Sequence, residues 1–433
     1  MNNVYIEGKY PLSFREEDAK ELGEHLRLRH SVELVGAKRV GIGNFLRFFL
    51  YREGVVEKYI NHGESHLFVP VDLNDLVEID LFAFWVLSFK RLADVAENSN
   101  ISAEVKKKIS DLFLDSIQSK DAFLTIESLR QALLELIRSD ILPTIFFLHF
   151  DRLEPVVNRD FFANLVGLQT ASANKLAYVF TSFRTLDEIS PSVFSRKLLS
   201  VFSHPIYMEP AQEKDTKVIF ETYEQKYNVK PSAEVEQEIL KLSGGHVQYL
   251  QLSLIILNQR VKGQSIGTDE LFEILVSDER ISLQSEEIWE SLTVAEKSVL
   301  EKAFRGVGVS REEKEGAAYL WKTGILSGDG KESKIFSVLF EDYLKRRSRV
   351  SAPVEKTDLT KKEKLMFEFL LANRDEVCER DSIIEHVWPE EAQELGVSDW
   401  TVDRLVARLR TKLKKQKSEY EIVTVKTRGF KLT

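Results

Sequence analysis

Apolar positions in the first half of the chain fall into short runs separated by longer stretches with helical spacing. Ser31–Val35 reads as a strand that runs into glycines and then into an apolar helix over Asn44–Tyr51. His66–Val71 reads as a second strand, followed by an apolar helical pattern around Leu81–Leu92; Thr144–Phe150 and Lys175–Thr181 are two further runs long enough for buried strands. Strands alternating with helices predict βαβ units, and therefore a parallel sheet with helices on both faces. The charged stretch from Glu97 to Ser139 keeps helical periodicity and is expected to layer onto that sheet.

From Glu213 to Ser277 the strand pattern stops. Val218, Ile219, Tyr223 and Tyr227, then Val235, Ile239, Leu240 and Leu242, recur at helical spacing, and Pro231 marks a helix start, so a helical bundle is expected. Over Ile288–Arg347 two helical patterns, a turn at Gly328-Asp329-Gly330 and a final helix follow in the order of a winged helix. After a polar stretch with a proline, Leu359–Thr433 repeats helix, helix, helix and hairpin. The expected domains are therefore a sheet domain over 1–212, a helical lid over 213–285, an internal winged helix over 286–350, a linker over 351–358 and a second winged helix over 359–433.

Composition narrows the class. With 433 residues, two to four domains are expected, and 20 Gly with 10 Pro favours helices over turn-rich β architecture. The single cysteine, Cys378, excludes a disulfide framework and a four-cysteine zinc site, and suits a reducing cytoplasm. No metal-ligand set is readable in the spacing. The longest apolar stretch, about Ile79–Phe89, falls short of the roughly 20 residues that span a bilayer, and the start lacks the basic end and apolar run of a signal peptide. No membrane partner is expected.

The net charge of −9 argues at face value against nucleic acid. Its distribution argues otherwise. Leu359–Asp399 carries 5 basic and 11 acidic residues, whereas Trp400–Thr433 carries 10 basic and 3 acidic, a net of +7 on an otherwise acidic chain. Within that basic segment Val402, Leu405, Val406, Leu409 and Leu413 form one apolar helical face after a potential N-cap at Ser398. Arg404, Arg408, Lys412 and Lys415 lie on another face, a geometry suited to the major groove of double-stranded DNA.

Gly36-Ala37-Lys38-Arg39-Val40-Gly41 follows a predicted strand and opens a predicted helix, the setting of a phosphate loop. The next two positions should be a Lys that reaches the terminal phosphates and a Ser/Thr that holds magnesium, but Ile42 and Gly43 stand there. The strand Ile145–Phe150 should end in a pair of carboxylates and ends in the lone Asp151; in the alternative register Leu148 and His149 take the paired places. Lys38 is either a substitute cation for a phosphate or a surface lysine.

On these pieces residues of about 30 to 350 resemble a STAND-type branch of the AAA+-related P-loop ATPases. Tyr178-Val179-Phe180-Thr181-Ser182-Phe183-Arg184 is similar to the family's sensor strand, and Leu242-Ser243-Gly244-Gly245-His246-Val247 to its Gly-Gly-His-Pro element, with Val247 in place of the proline. The resemblance implies a P-loop-type parallel sheet, a helical bundle and a winged helix. It maps a degenerate nucleotide site onto Gly36, Lys38, Arg39, Gly41, Gly43, Asn44, Asp151 and Arg184, with ATP or ADP as the nucleotide in question. Arg184 is either the sensor arginine or a surface arginine.

The last domain resembles the OmpR-type winged helix over its full length, through Leu359-Thr360-Lys361-Lys362-Glu363, Arg380–Trp388, Val397–Leu413 and Val423–Phe430. The resemblance places Thr401, Arg404, Arg408, Arg410 and Lys412 on a recognition helix and Lys426 and Arg428 on the wing, where Thr427 replaces the usual Gly. Trp388 matches a tryptophan that contacts the DNA backbone, or is a core aromatic. The overall expectation is a multidomain α/β and α+β protein: a sequence-specific, DNA-binding transcriptional regulator whose ATPase-like module, with no catalytic residues, serves as scaffold or partner sensor. An ATP-driven switch and a protein-interaction adaptor are the alternatives, with a protein partner or a second copy of the chain as further binding candidates.

Overall fold

The computed structural model describes residues 5–60, 63–194, 201–202, 204–261, 266–328, 333–350, 359, 361–389, 399–415, 418, 420–425 and 428–433. The expected linker 351–358, Ser398, and the turn residues Asp329 and Gly330 lie outside the described residues. Met1–Arg346 forms one compact unit and Arg347–Thr433 another.

In the first unit five strands, β1 (Val32–Gly36), β2 (Ser65–Asp72), β3 (Ile141–Leu148), β4 (Ala177–Ser182) and β5 (Pro205–Met208), form one sheet in the order β2-β3-β4-β1-β5. Every pairing is parallel. Alternate side chains of one strand leave on opposite faces, and both faces are apolar here. Phe146, Ala177 and Val179 pack on one side with Val32, Leu34, Ile206 and Met208. Ile145, Phe147, Tyr178 and Phe180 pack on the other with helices Leu81–Glu97, Ala122–Arg138 and Arg159–Ala171. Two-sided burial explains why these strands read as near-continuous apolar runs.

Two details differ from the sequence reading. Strand β3 starts three residues before Thr144, includes Pro143 and stops at Leu148, short of Phe150, which opens a 3-10 helix. The proline is tolerated because pairing with β4 begins only at Thr144, so its missing N–H faces no partner strand. Strand β5 was not anticipated: its four residues are too short for a periodicity signal, and its proline sits at the first position of an edge strand, where no donor is required.

Helices Glu213–Tyr227, Ala233–Ser243, Val247–Val261, Thr268–Ser277 and Glu279–Glu290 follow. Next come Val294–Phe304, Arg311–Gly316 and Ala318–Lys322, the antiparallel β6 (Leu326–Ser327) and β7 (Lys334–Ile335), and helix Val338–Val350. Thr293 with Glu296, and Ser310 with Glu313, close reciprocal capping boxes that fix two helix starts. One apolar core runs without a break from the sheet through these helices, joining Phe45, Ile239, Leu320 and Phe340.

The second unit places helices Lys361–Ala372, Arg380–Val387 and Asp399–Lys415 against a three-stranded antiparallel sheet, ordered β8 (Cys378–Glu379), β10 (Gly429–Leu432), β9 (Ile422–Val425). Its core holds Met366, Leu370, Ile383, Trp388 and Phe430. Cys378 belongs to that core, and burial, helped by the Glu376 carboxylate, pushes its thiol up, which keeps it in the unreactive protonated form.

Candidate nucleic-acid interface and phosphate loop

The Asp399–Lys415 helix buries Val402, Leu405, Val406, Leu409 and Leu413, which leaves its basic residues on the remaining arc. Thr401, Arg404, Arg408, Arg410 and Lys412 are all partly exposed. They are not equivalent. Glu363, on the first helix of the domain, is 1 % exposed. Arg408 Nε lies 3.5 Å from its Oε1 and Lys412 Nζ 2.6 Å from its Oε2. A buried carboxylate requires compensating charge, so these two cations brace the helix as well as facing outward. Arg410 turns to the hairpin, donating from Nε to the Ile422 carbonyl at 2.8 Å and from Nη2 to Thr424 Oγ1 at 2.8 Å. Arg380 reaches back to Asp403 at the helix start, 2.5 Å away, with its guanidinium over the Phe430 ring.

Arg428 is exposed next to β10, with its backbone N–H bonded to the Val425 carbonyl at 3.1 Å. Lys426 and Thr427 lie outside the described residues. Trp388 is buried: the indole is 1 % exposed and sealed among core side chains, with Lys362 Nζ 5.2 Å from its ring centre. The burial fits the alternative given for it from sequence, a core aromatic.

In the first unit the segment from Gly36 to Gly41 turns from β1 into helix Ile42–Tyr51, at the carboxyl end of the strands where open parallel sheets bind ligands. Gly41 adopts φ +122° and lies so close to Val247 that a Cβ there would stand 2.5 Å from its Cγ2. His246 Nε2 donates to the Lys38 carbonyl at 2.9 Å. That ring is fully buried, and burial, with the Arg39 charge adding, pushes its pKa down to about 4 against the raising effect of the Lys38 bond. Neighbouring Gly245 accepts from the Ala211 N–H at 3.0 Å. The Gly-Gly-His-Val element thus docks directly onto the loop.

The side chains of the loop are committed within the chain. Lys38 Nζ sits 3.7 Å from Asp151 Oδ2 and 3.7 Å from the Phe183 ring centre, so the structure brings two of the candidate residues together. Arg39 donates to Glu287 at 3.0 Å. Asn44 is turned inward: its amide donates to Glu7 Oε1 at 3.3 Å and to Tyr223 Oη at 3.2 Å, and Arg47 beside Gly43 donates to the same Glu7 oxygen at 2.7 Å. His149, after β3, has Nδ1 2.8 Å from Asp72 Oδ1 and 2.9 Å from Asn74 Nδ2. Burial alone would raise the Asp72 carboxyl, but the His149 and Asn74 hydrogen bonds outweigh it and hold it below its ordinary value.

Arg184 does not join this group, and it is not at the surface: the residue is 8 % exposed. Its guanidinium grips Glu296 through two bonds of 2.7 and 2.6 Å, donates to the Ser291 carbonyl at 2.8 Å and stacks over Tyr319 with 3.8 Å to the ring centre. The Glu296 carboxyl, which burial would raise, is held below its usual range by that guanidinium. Sequence reasoning missed Glu7, Glu287, Glu296 and Glu363. Each is an acidic residue on a buried helix face. Glu363 had a readable signal, since it falls in phase with Met366 and Leu370, where an apolar residue is expected.

Residues 354–432 match the family described as "Transcriptional regulatory protein, C terminal", which covers the domain read from sequence as an OmpR-type winged helix. No curated protein sequence matches the chain. Among solved structures, the Aeropyrum pernix ORC1 protein in complex with DNA is similar over 81% of this chain and 96% of that one, at 13% identity and a TM-score of 0.42. The Walker-type ATPase PABY2304 of Pyrococcus abyssi is similar over 76% of this chain and 95% of that one, at 14% identity and a TM-score of 0.44. For the Thermotoga maritima RuvB Holliday junction branch migration motor the shares are 78% and 95%, at 14% identity and a TM-score of 0.36.

Proposed function

We propose that the chain is a sequence-specific DNA-binding transcriptional regulator in which the Asp399–Lys415 helix enters the major groove and Met1–Arg346 serves as a scaffold or partner-sensing platform. The observation that carries the reading is the match of residues 354–432 to the C-terminal domain of transcriptional regulatory proteins, laid over a helix whose exposed arc is basic. Arg404 and Thr401 are the base-reading candidates. Arg408 and Lys412 supply charge from a fixed position set by Glu363, while Lys426 and Arg428 belong to the phosphate-contacting wing.

The same proposal makes the first unit a non-hydrolysing module. Ile42 and Gly43 supply neither an ammonium for terminal phosphates nor a hydroxyl for magnesium. Lys38, the substitute cation, is shared with Asp151 and Phe183. A cytoplasmic location belongs to this reading.

Selection of bound duplexes from a random pool by the full-length chain, followed by fluorescence anisotropy, tests the DNA assignment. A preferred site should emerge, with log affinity falling linearly in log salt by about 0.9 for each phosphate contacted. Arg404→Ala should cost about 1–3 kcal/mol at one base position and relax the choice there. Absence of duplex binding at low salt would sink the assignment.

A further inference from the structure

Three of the chain's eight histidines converge at the end of the sheet away from the phosphate loop. His25 lies in the last turn of helix Glu16–Arg27, His30 in the connection that leads into β1, and His204 directly before β5. One ring nitrogen from each lies within 4.8 Å of the other two. His25 Nδ1 and His30 Nδ1 are 3.1 Å apart, and the His30 and His204 rings are stacked with centres 4.5 Å apart.

The backbone holds this arrangement. The His30 N–H donates to the His25 carbonyl at 2.9 Å, and the His204 carbonyl accepts from the Glu33 N–H at 3.1 Å. All three rings are partly exposed, which leaves a route for an ion.

A hydrogen bond links His25 and His30, and the third ring, stacked on His30, brings its nitrogen within 4.8 Å of both. We propose that His25, His30 and His204 form a zinc-binding site that ties helix Glu16–Arg27 to the starts of β1 and β5. Zinc takes imidazole nitrogens at about 2.0–2.1 Å, which in a tetrahedron sets them about 3.3 Å apart. The His25–His30 pair already stands near that spacing, and rotation of the rings brings the third nitrogen in. Three imidazoles favour a transition ion over magnesium or calcium, which take oxygen ligands. The fourth position falls to water. Because the site lies at the amino ends of the strands, its occupancy does not depend on what Gly36–Gly41 binds.

The test uses untagged full-length protein stripped by a chelator and titrated with zinc by calorimetry, alongside zinc K-edge absorption of the loaded chain. One equivalent should bind at micromolar or tighter affinity in the presence of excess magnesium, with imidazole nitrogens at about 2.0 Å. His30→Ala and His204→Ala should each weaken binding at least about tenfold, the lower bound set by losses of outer-shell partners, while His66→Ala on β2 should leave it unchanged. Substoichiometric binding, affinity unchanged in both variants, or an absorption spectrum without imidazole scattering would overturn the proposal. Where a variant fails to fold by circular dichroism, the spectrum of the wild-type protein decides.

Discussion

Arg184 shows how one side chain can be spent on architecture. Its two bonds to Glu296 are nearly desolvated, with side-chain exposures of 10 % and 5 %. Removing the cation leaves a buried carboxylate uncompensated, so Arg184→Met should cost about 3–5 kcal/mol in chemical denaturation. The double variant Arg184→Met with Glu296→Leu should cost clearly less than the sum of the two single changes. Strict additivity would show that the pair is not coupled. His246 adds a pH dependence. The folded chain keeps this ring neutral down to about pH 4, whereas an unfolded histidine takes a proton near 6.5. Between those values the unfolded state binds more protons, so the stabilisation is complete above pH 6.5 and is lost as pH falls towards 4, by about 3 kcal/mol in all. Subtracting the pH–stability curve of His246→Gln from that of the parent should isolate this slope, since every other titrating group is common to both.

At the scale of elements, the hairpin of the C-terminal domain depends on one backbone approach. Gly429 has φ +152°, and a Cβ there would lie 2.0 Å from the Cys378 carbonyl oxygen, a backbone atom of β8 that a side-chain rotation cannot move aside. Gly429→Ala should therefore part β8 from β10 and destabilise the C-terminal domain by about 2 kcal/mol or more. Duplex affinity should fall with it, because Arg410 and the Arg428 wing are positioned through that sheet. Calorimetric scanning with anisotropy checks this; an unshifted transition with intact binding would contradict it. Helix Asp399–Lys415 is likewise set from two sides, by Glu363 through Arg408 and Lys412 and by the hairpin through Arg410. Its orientation is a property of the packed domain, while its amphipathic pattern is local.

For the whole molecule, net charge separates the parts. The last 34 residues carry +7 while the chain totals −9, so the positive charge that a polyanion would meet is concentrated in the C-terminal domain. On the nucleotide question, calorimetry of the full-length chain with ATP and magnesium should show no turnover and no binding tighter than millimolar. Measurable hydrolysis would replace the scaffold reading with a driven switch. Among the described residues no helix is long and apolar enough to cross a membrane.

The linear order of residues was enough to reveal the alternation of strands and helices, the change to an all-helical segment after Glu213, the basic helix near the end, and the missing Lys and Ser/Thr after Gly41. These are properties of neighbours in the chain: periodicity, turn chemistry and spacing survive without knowledge of the fold. Strand β5 escaped because four residues carry too little period, and the extension of β3 through Pro143 depended on which neighbour strand faced it. Tertiary structure alone decided how the charged side chains are spent. Glu296 meets Arg184 across 112 residues, Glu287 meets Arg39 across 248, and His204 comes to His25 and His30 only because β5 pairs with β1. Ion pairs and ligand sets act over a few ångströms, and distances of that size between residues far apart in sequence are set by the packing of the sheet and its helices.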